Sequence, residues 1–441
     1  MDKAMKIPTI IIVFLIQSVV LNAQHVFNSL DEVWEYSLSN NPENTIYQLK
    51  VEKANKDKIT ANSFLYPKVG AGFSGQKSID IPETPVPGEL VGMPGQTVYM
   101  KFGQNYSYSG GLSISKTILD WQSMVQAKIA KLNVSLNQAQ KDYFEQTLKE
   151  QVAQVYYAAI TANKSVEISN KDFEIADSLF LIAQDRFEQG LIDGLVFNQA
   201  IINKNNVIRN LEQTKFYQSQ WLYNLKLLLG LNSDDSIILT EEILISNKTG
   251  LFDYSHIQPS NENYIKVYKL QTEIANIETK KALARFAPKI DAVYYLGTYQ
   301  YRNDFTISLE SSDRKPNSYL GLSISIPVFT GFANKSQYSS AKINHSMAQQ
   351  KLQLETTKAA INDSILLSNY YSSEKIMEVT SETYLVFGNS VELASQKYTQ
   401  GLISLDEYLK VFDDYLNAEN QYFNSLSTYL INKATIEARK K

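Results

Sequence analysis

The sequence predicts a mainly α protein with a small β part, built from two copies of one unit. Each unit pairs two short strands with a very long helical hairpin. Three observations carry this reading. The pentapeptide Gly-Leu-Ser-Ile-Ser occurs at Gly111–Ser115 and again at Gly321–Ser325. Each copy leads into a long run almost free of helix breakers: no proline lies between Pro94 and Pro259, none follows Pro327, and no glycine lies between Gly111 and Gly190. Each run ends on a similar segment, Arg186-Phe-Glu-Gln-Gly-Leu-Ile192 and Lys397-Tyr-Thr-Gln-Gly-Leu-Ile403.

The N-terminus reads as a secretory signal peptide over residues 1–23. Lys3 and Lys6 supply the basic start, Ile10 to Leu21 the apolar stretch, and Ala23 a small residue for cleavage. The first repeat then covers 24–230, a linker 231–260 and the second repeat 261–441. The chain has no cysteine, so neither a disulfide nor a lipid-bearing thiol is expected. No later stretch reaches the roughly 18 apolar residues of a membrane-spanning helix. A net charge of −4 gives no basic footprint for nucleic acid. The 28 tyrosines matter in this setting, because a β-barrel is the other way to cross a membrane.

The elements follow in order. Asn28-Ser29 caps a first helix running to about Ser63. After Pro67, Val69, Ala71 and Phe73 begin a strand. Ile81–Gly103, rich in Pro and Gly, is expected to be an irregular exposed loop. Tyr106, Tyr108, Gly110, Leu112 and Ile114 alternate with small polar residues, the period of a two-faced strand. From Trp121 to Gln189 the apolar steps turn helical: Val125, Ile129, Leu132, Leu136, Ala139 and Tyr143, then Leu148, Val152, Val155, Ala159, Ala162 and Val166 after a phase shift. A helix of about seventy residues is about 100 Å long, a length no compact domain needs. The chain turns at Gly190 and returns to about Leu229. The second copy repeats this: a helix over Glu262–Phe286 behind Ser260-Asn261, a strand from Ile290 to about Tyr301, a polar loop over Arg302–Asn317, and a strand with Leu320, Leu322, Ile324 and Ile326 on one face. A long helix with the seam Phe387, Val391, Ala394 and Tyr398 then leads to a turn at Gly401 and a return to Ala438. Tyrosines near the strands (Tyr99, Tyr106, Tyr108, Tyr294, Tyr295, Tyr299, Tyr301 and Tyr319) read as an interfacial girdle.

Catalytic chemistry is missing from this pattern. His25, His256 and His345 are far apart in sequence. Gly-Leu-Ser-Ile-Ser lacks the second glycine of a nucleophile elbow. No enzyme activity, cofactor or metal is expected. Four strands of about ten residues match the length of transmembrane β-strands. They cannot close a barrel, which takes about eight, so a membrane-spanning version must oligomerise.

The pattern resembles the TolC-type outer-membrane factors of efflux pumps and type I secretion systems. The closest local likenesses are Ser325-Ile-Pro-Val-Phe-Thr-Gly331 and the segment Tyr398-Thr-Gln-Gly-Leu-Ile-Ser-Leu-Asp-Glu-Tyr-Leu409, followed by Ala418-Glu419. The passage Lys116-Thr-Ile-Leu-Asp-Trp121 departs from the pattern by lacking its glycine. The resemblance implies a homotrimer whose four strands per protomer share one transmembrane β-barrel, with the helical hairpins forming a periplasmic helical barrel. It implies a passive exit duct across the periplasm and outer membrane for small molecules or secreted protein, working with a periplasmic adaptor protein and an inner-membrane transporter. It places an acidic periplasmic entrance near Asp406 and Glu407, with Lys410 where a second acid is expected. It assigns adaptor docking to the tips, Gly190, Leu191, Ile192, Gly401, Leu402 and Ile403. The rival reading is a soluble periplasmic coiled-coil scaffold, with an envelope enzyme as a distant third.

Overall fold

The computed structural model describes residues 24–241 and 261–439. The expected signal peptide, 1–23, lies outside the described residues, as does 242–260 of the expected linker. The strands and helices, in chain order, are β1 (Gln24–Phe27), α1 (Leu30–Asn40), α2 (Pro42–Ala61), β2 (Lys68–Lys77), β3 (Glu83–Pro87), β4 (Thr97–Lys101), β5 (Tyr106–Leu119), α3 (Trp121–Glu188), α4 (Gly194–Leu229), β6 (Ser236–Leu239), α5 (Glu262–Ala284), β7 (Lys289–Arg302), β8 (Lys315–Ser325), α6 (Ala333–Thr399) and α7 (Leu405–Ala438). The long helices α3 and α6, of 68 and 67 residues, fill the breaker-free runs. The return helices end at Leu229 and Ala438, as expected.

The chain forms two compact units, and each draws on both halves of the duplication. The first takes the described residues of Met1–Thr45, Phe144–Ser260 and Asp363–Lys441, the second Ile46–Tyr143 and Asn261–Asn362.

In the first unit, Leu148, Val152 and Tyr156 of α3 pack with Val33 of α1 and with Leu225 and Leu229 of α4. β1 lies parallel to β6, with Gln24 opposite Ser236 and Phe27 opposite Leu239. Arg439 ties the C-terminus down: its guanidinium bonds both Glu150 oxygens, at 2.9 and 3.1 Å, and Asp363 at 3.1 Å. The single first helix expected from Ser29 is broken. Ser29 does cap α1, accepting the Glu32 N–H at 3.4 Å. Pro42 then bars the helical conformation from the residue before it, so Asn41 is extended at φ −64, ψ 122. The Asn41 Oδ1 accepts the N–H groups of Glu43 and Asn44, at 2.8 and 3.2 Å, and so caps α2.

The second unit contains a four-stranded antiparallel sheet in the order β2-β5-β7-β8. Its register joins Val69, Ile114, Tyr294 and Leu320 in one row, and Ala71, Leu112 and Leu296 in the next. Leu322 and Ile324 fall on the same face. The other face carries Ser113, Gly111, Ser323 and Gly321, so the alternation read from the sequence holds in β5 and β8, and Val69, Ala71 and Phe73 of β2 join the apolar face. The tyrosines do not form one band. Tyr106, Tyr108 and Tyr294 share the apolar face, whereas Tyr295, Tyr299, Tyr301 and Tyr319 share the serine-glycine face. Neighbours along a strand point to opposite sides, so clustering in sequence does not sort them.

The expected irregular loop holds a two-stranded hairpin, β3 with β4, pairing Val86 with Val98. Its prolines are compatible with pairing because β3 has a partner on one side only. The Gly88 N–H donates to Gln96 at 2.7 Å, so even-numbered residues face β4 while Pro85 and Pro87 turn their missing donors outward. Elsewhere in this unit, Glu355 of α6 is buried but well supplied: Lys351 at 2.8 Å, Lys358 at 3.1 Å and the Tyr264 hydroxyl all bond it. Chiefly through its bond to Lys351, they hold its carboxyl down at about 2.

Gly111 sits directly opposite Gly297. A Cβ on Gly111 would lie 2.6 Å from both the Gly297 Cα and the Leu296 carbonyl oxygen. Gly111→Ala should therefore lower the thermal unfolding temperature of the purified protein, a loss of about 1–3 kcal/mol. Tyr295→Ala should not rescue it, because the clash is with backbone. Gly72→Ala, where nothing lies within 4 Å, should leave the temperature unchanged.

Candidate functional site: the two hairpin tips

Both long helices end in the same way. Gly190 and Gly401 adopt φ +71 and +72, a region that costs a side chain but not glycine. The Gly190 N–H donates to Phe187 at 2.9 Å and the Leu191 N–H to Arg186 at 2.8 Å. The second tip repeats this, Gly401 to Tyr398 at 3.0 Å and Leu402 to Lys397 at 2.9 Å. These bonds satisfy the last carbonyls of α3 and α6. The return helices are capped differently. Asp193 Oδ1 accepts from Leu195 and Val196 at 2.9 and 3.0 Å. Ser404 and Glu407 cap each other reciprocally: Ser404 Oγ accepts the Glu407 N–H at 3.4 Å, and Glu407 Oε2 accepts the Ser404 N–H at 3.2 Å.

Beneath the tips the two hairpins share one core. Leu179 and Ala183 of α3, Ala200 of α4, Tyr398 of α6, and Leu405 and Phe412 of α7 belong to it. Polar contacts join the hairpins there: the Asn203 amide donates to the Leu409 carbonyl at 3.2 Å, and the Arg186 guanidinium lies 4.9 Å from the centre of the Tyr398 ring.

The structure divides the apolar tip residues into two kinds. Ile192 and Ile403 are half-buried against the shared core. Leu191 and Leu402 are 66% and 67% exposed. The sequence resemblance had placed Leu191, Ile192, Leu402 and Ile403 together in the docking tips. The difference arises because residues after each glycine alternate sides as the chain re-enters a helix. Asp406, Glu407 and Lys410 are all exposed on the first turns of α7. The helix N-terminus favours the two acids there.

Sequence reading quoted Glu419 only within the family-like Ala418-Glu419 and missed Asp172, although both carboxyls lie on this seam and are each 2% exposed. A signal existed. Ile168, Asp172, Ala176, Leu179 and Ala183 step along one helical stripe, as do Phe412, Leu416, Glu419, Phe423 and Leu426. In each stripe one acid occupies an apolar position.

The two kinds of tip residue should separate by experiment. Ile192→Ser with Ile403→Ser should destabilise the tips by about 2 kcal/mol per site, seen as faster amide exchange in the last turns of α3 and α6. Leu191→Ser with Leu402→Ser should leave that exchange unchanged.

Residues 35–231 and 260–438 match the outer membrane efflux protein family. The fold is similar to that of the CmeC outer membrane channel of Campylobacter jejuni, at 18% identity and TM-score 0.75 over 93% of this chain and 85% of that one. It is similar to the outer membrane protein VceC of Vibrio cholerae, at 16% identity and TM-score 0.72 over 93% and 95%. The open MtrE outer membrane channel of Neisseria gonorrhoeae gives 16% identity and TM-score 0.73 over 93% and 88%. No curated protein sequence matches the chain. A soluble scaffold finds no support in these likenesses. The family match spans both halves of the duplication, with their strands, long helices and tips: the chain belongs to the outer membrane efflux protein family, whose members are efflux channels of the outer membrane.

Proposed function

We propose that three copies of this chain form one duct, a passive conduit that catalyses nothing and is powered by an inner-membrane transporter. One observation carries the reading: the sheet is open. β2 and β8 each have a partner on one side only. With all pairings antiparallel, these edges run in opposite directions, so β8 of one copy can pair with β2 of the next. Unpaired backbone groups cannot stay in hydrocarbon. Two copies would supply eight strands, whose interior side chains can fill, whereas the twelve of three copies make a wider barrel. Leu112, Ile114, Leu322 and Ile324 then face lipid, and Ser113 and Ser323 face the lumen. The exit path serves small molecules or secreted protein.

The tips are the docking points for a periplasmic adaptor protein. Gly190 and Gly401 shape them, Ile192 and Ile403 anchor them, and Leu191 and Leu402 present apolar surface at an exposed end. The first turns of α7 form the entrance. Asp406 is its freer acid, since Glu407 already closes a capping box, and Lys410 lies one turn beyond Asp406 on the same helix.

Light scattering of the protein in detergent should give a trimer; a monomer or dimer would sink the duct. Leu191→Ser with Leu402→Ser should leave the trimer intact and abolish transport in cells. In single-channel recordings the wild type should prefer cations, Asp406→Asn should weaken that preference, and Lys410→Asp should strengthen it. Unchanged selectivity in both variants would place the constriction elsewhere.

A further inference from the structure

Among the described residues, the other carboxyls shielded from solvent in the helices are met by cations. Glu355 has two lysines, and Glu150 and Asp363 share Arg439. Asp172 of α3 and Glu419 of α7 have no such partner among the described residues. Both are 2% exposed, and each carboxyl acts on the other, with the Tyr415 hydroxyl also bonding Glu419. Asp172 Oδ2 and Glu419 Oε2 are buried without a hydrogen-bond partner. Two carboxylates both ionised at such a place repel each other and lose their hydration. One proton shared by the two carboxyls removes both problems at once.

Among the described residues, the nearby lysines are already engaged. On α3, the adjacent Lys171 is engaged by Glu167 at 3.1 Å. On α4, Lys204 is engaged by Asp177 at 2.6 Å. From α6 comes the Tyr384 hydroxyl, 3.4 Å from that of Tyr415 on α7, and the Tyr422 ring stacks on Tyr384 with centroids 5.2 Å apart. The acids meet because of their position along the hairpins. Asp172 precedes Gly190 by as many residues as Glu419 follows Gly401, so both lie at one height above the tips.

We propose that Asp172 and Glu419 share a single proton, and that this proton is a lock between the first and second hairpins of the protomer. Glu419 carries it and donates to Asp172, joining α3 to α7. Losing it leaves two buried negative charges face to face and drives the helices apart. Burial raises both carboxyls, and the Asp172 charge raises Glu419 further, to about 9. The sign follows. The folded protein keeps a proton that the unfolded chain has released, so stability falls as pH climbs from the ordinary carboxyl range to about 9. The closed seam weakens by up to about tenfold per pH unit. Below the ordinary carboxyl range both states hold the proton and the dependence vanishes.

The test is infrared spectroscopy with amide hydrogen exchange on the full-length protein in detergent, stepping the pH from about 6 to about 10. The wild type should show a protonated-carboxyl band at neutral pH that fades towards about 9. In parallel, exchange in α3 around Asp172 and in α7 around Glu419, corrected for its intrinsic pH dependence, should rise at least about tenfold. Glu419→Gln, whose amide can donate to Asp172 at any pH, should abolish both the band and the rise. A wild type with no protonated carboxyl at neutral pH overturns the proposal, as does an equal rise in Glu419→Gln. If that variant does not fold, the wild type decides alone: a band that persists to pH 10, or exchange that never changes, overturns the lock.

Discussion

A β-strand must satisfy its backbone donors and acceptors somewhere, and the four-stranded sheet leaves one side of each of its two edge strands without a partner. The outer edges of β2 and β8 pair neither with each other nor with any other described strand. For an outer-membrane protein that is untenable in a lone copy, because hydrocarbon offers no hydrogen bonds. The apolar and serine-glycine faces sharpen the demand. A sheet with one apolar face and one small, polar face has a proper side for lipid and another for water, but only once its edges are joined. The proposed trimer answers that requirement.

The tips meet a different requirement. A helix leaves its last carbonyls and first N–H groups unsatisfied, and each tip must settle both within a few residues. Glycine in the left-handed region ends each descending helix, and a capping side chain starts each ascending one. The second tip uses Glu407 in that cap, so an acid at this position does structural duty whatever field it adds to an entrance. The isoleucines pin each turn to the core shared by the hairpins. The leucines beside them remain outside, as exposed apolar surface.

The buried acids show how sparingly the chain uses cations. Buried Glu355 is met by two lysines, and the half-buried Glu150 and Asp363 share Arg439. Asp172 and Glu419 interrupt apolar stripes on facing helices and meet only each other and tyrosine. An apolar pair there would pack as well and hold the seam at every pH. A carboxyl pair makes the seam conditional on a proton.

Much of this protein was legible in its sequence, because the relevant signals are local and periodic. The duplicated pentapeptide, the breaker-free runs, the alternation of Leu112 and Ile114 with Ser113, and the glycines at 190 and 401 each act through neighbours one to four residues away. They determined the long helices, the two-faced strands and the tips. Tertiary structure decided what distant partners arbitrate. Asn41 and Pro42 break the first helix, while the side-chain amide of Asn41 also reaches the carbonyl of Leu228. Pro85 and Pro87 sit in a strand because only one of its sides is paired. Tyr294 and Tyr295 part company because register, not composition, assigns a face. Asp172 and Glu419 are separated by two helical turns-about of the chain, and nothing near either residue says that the other will lie opposite. That meeting is set by equal heights above two tips, a distance measured along packed helices rather than along the sequence.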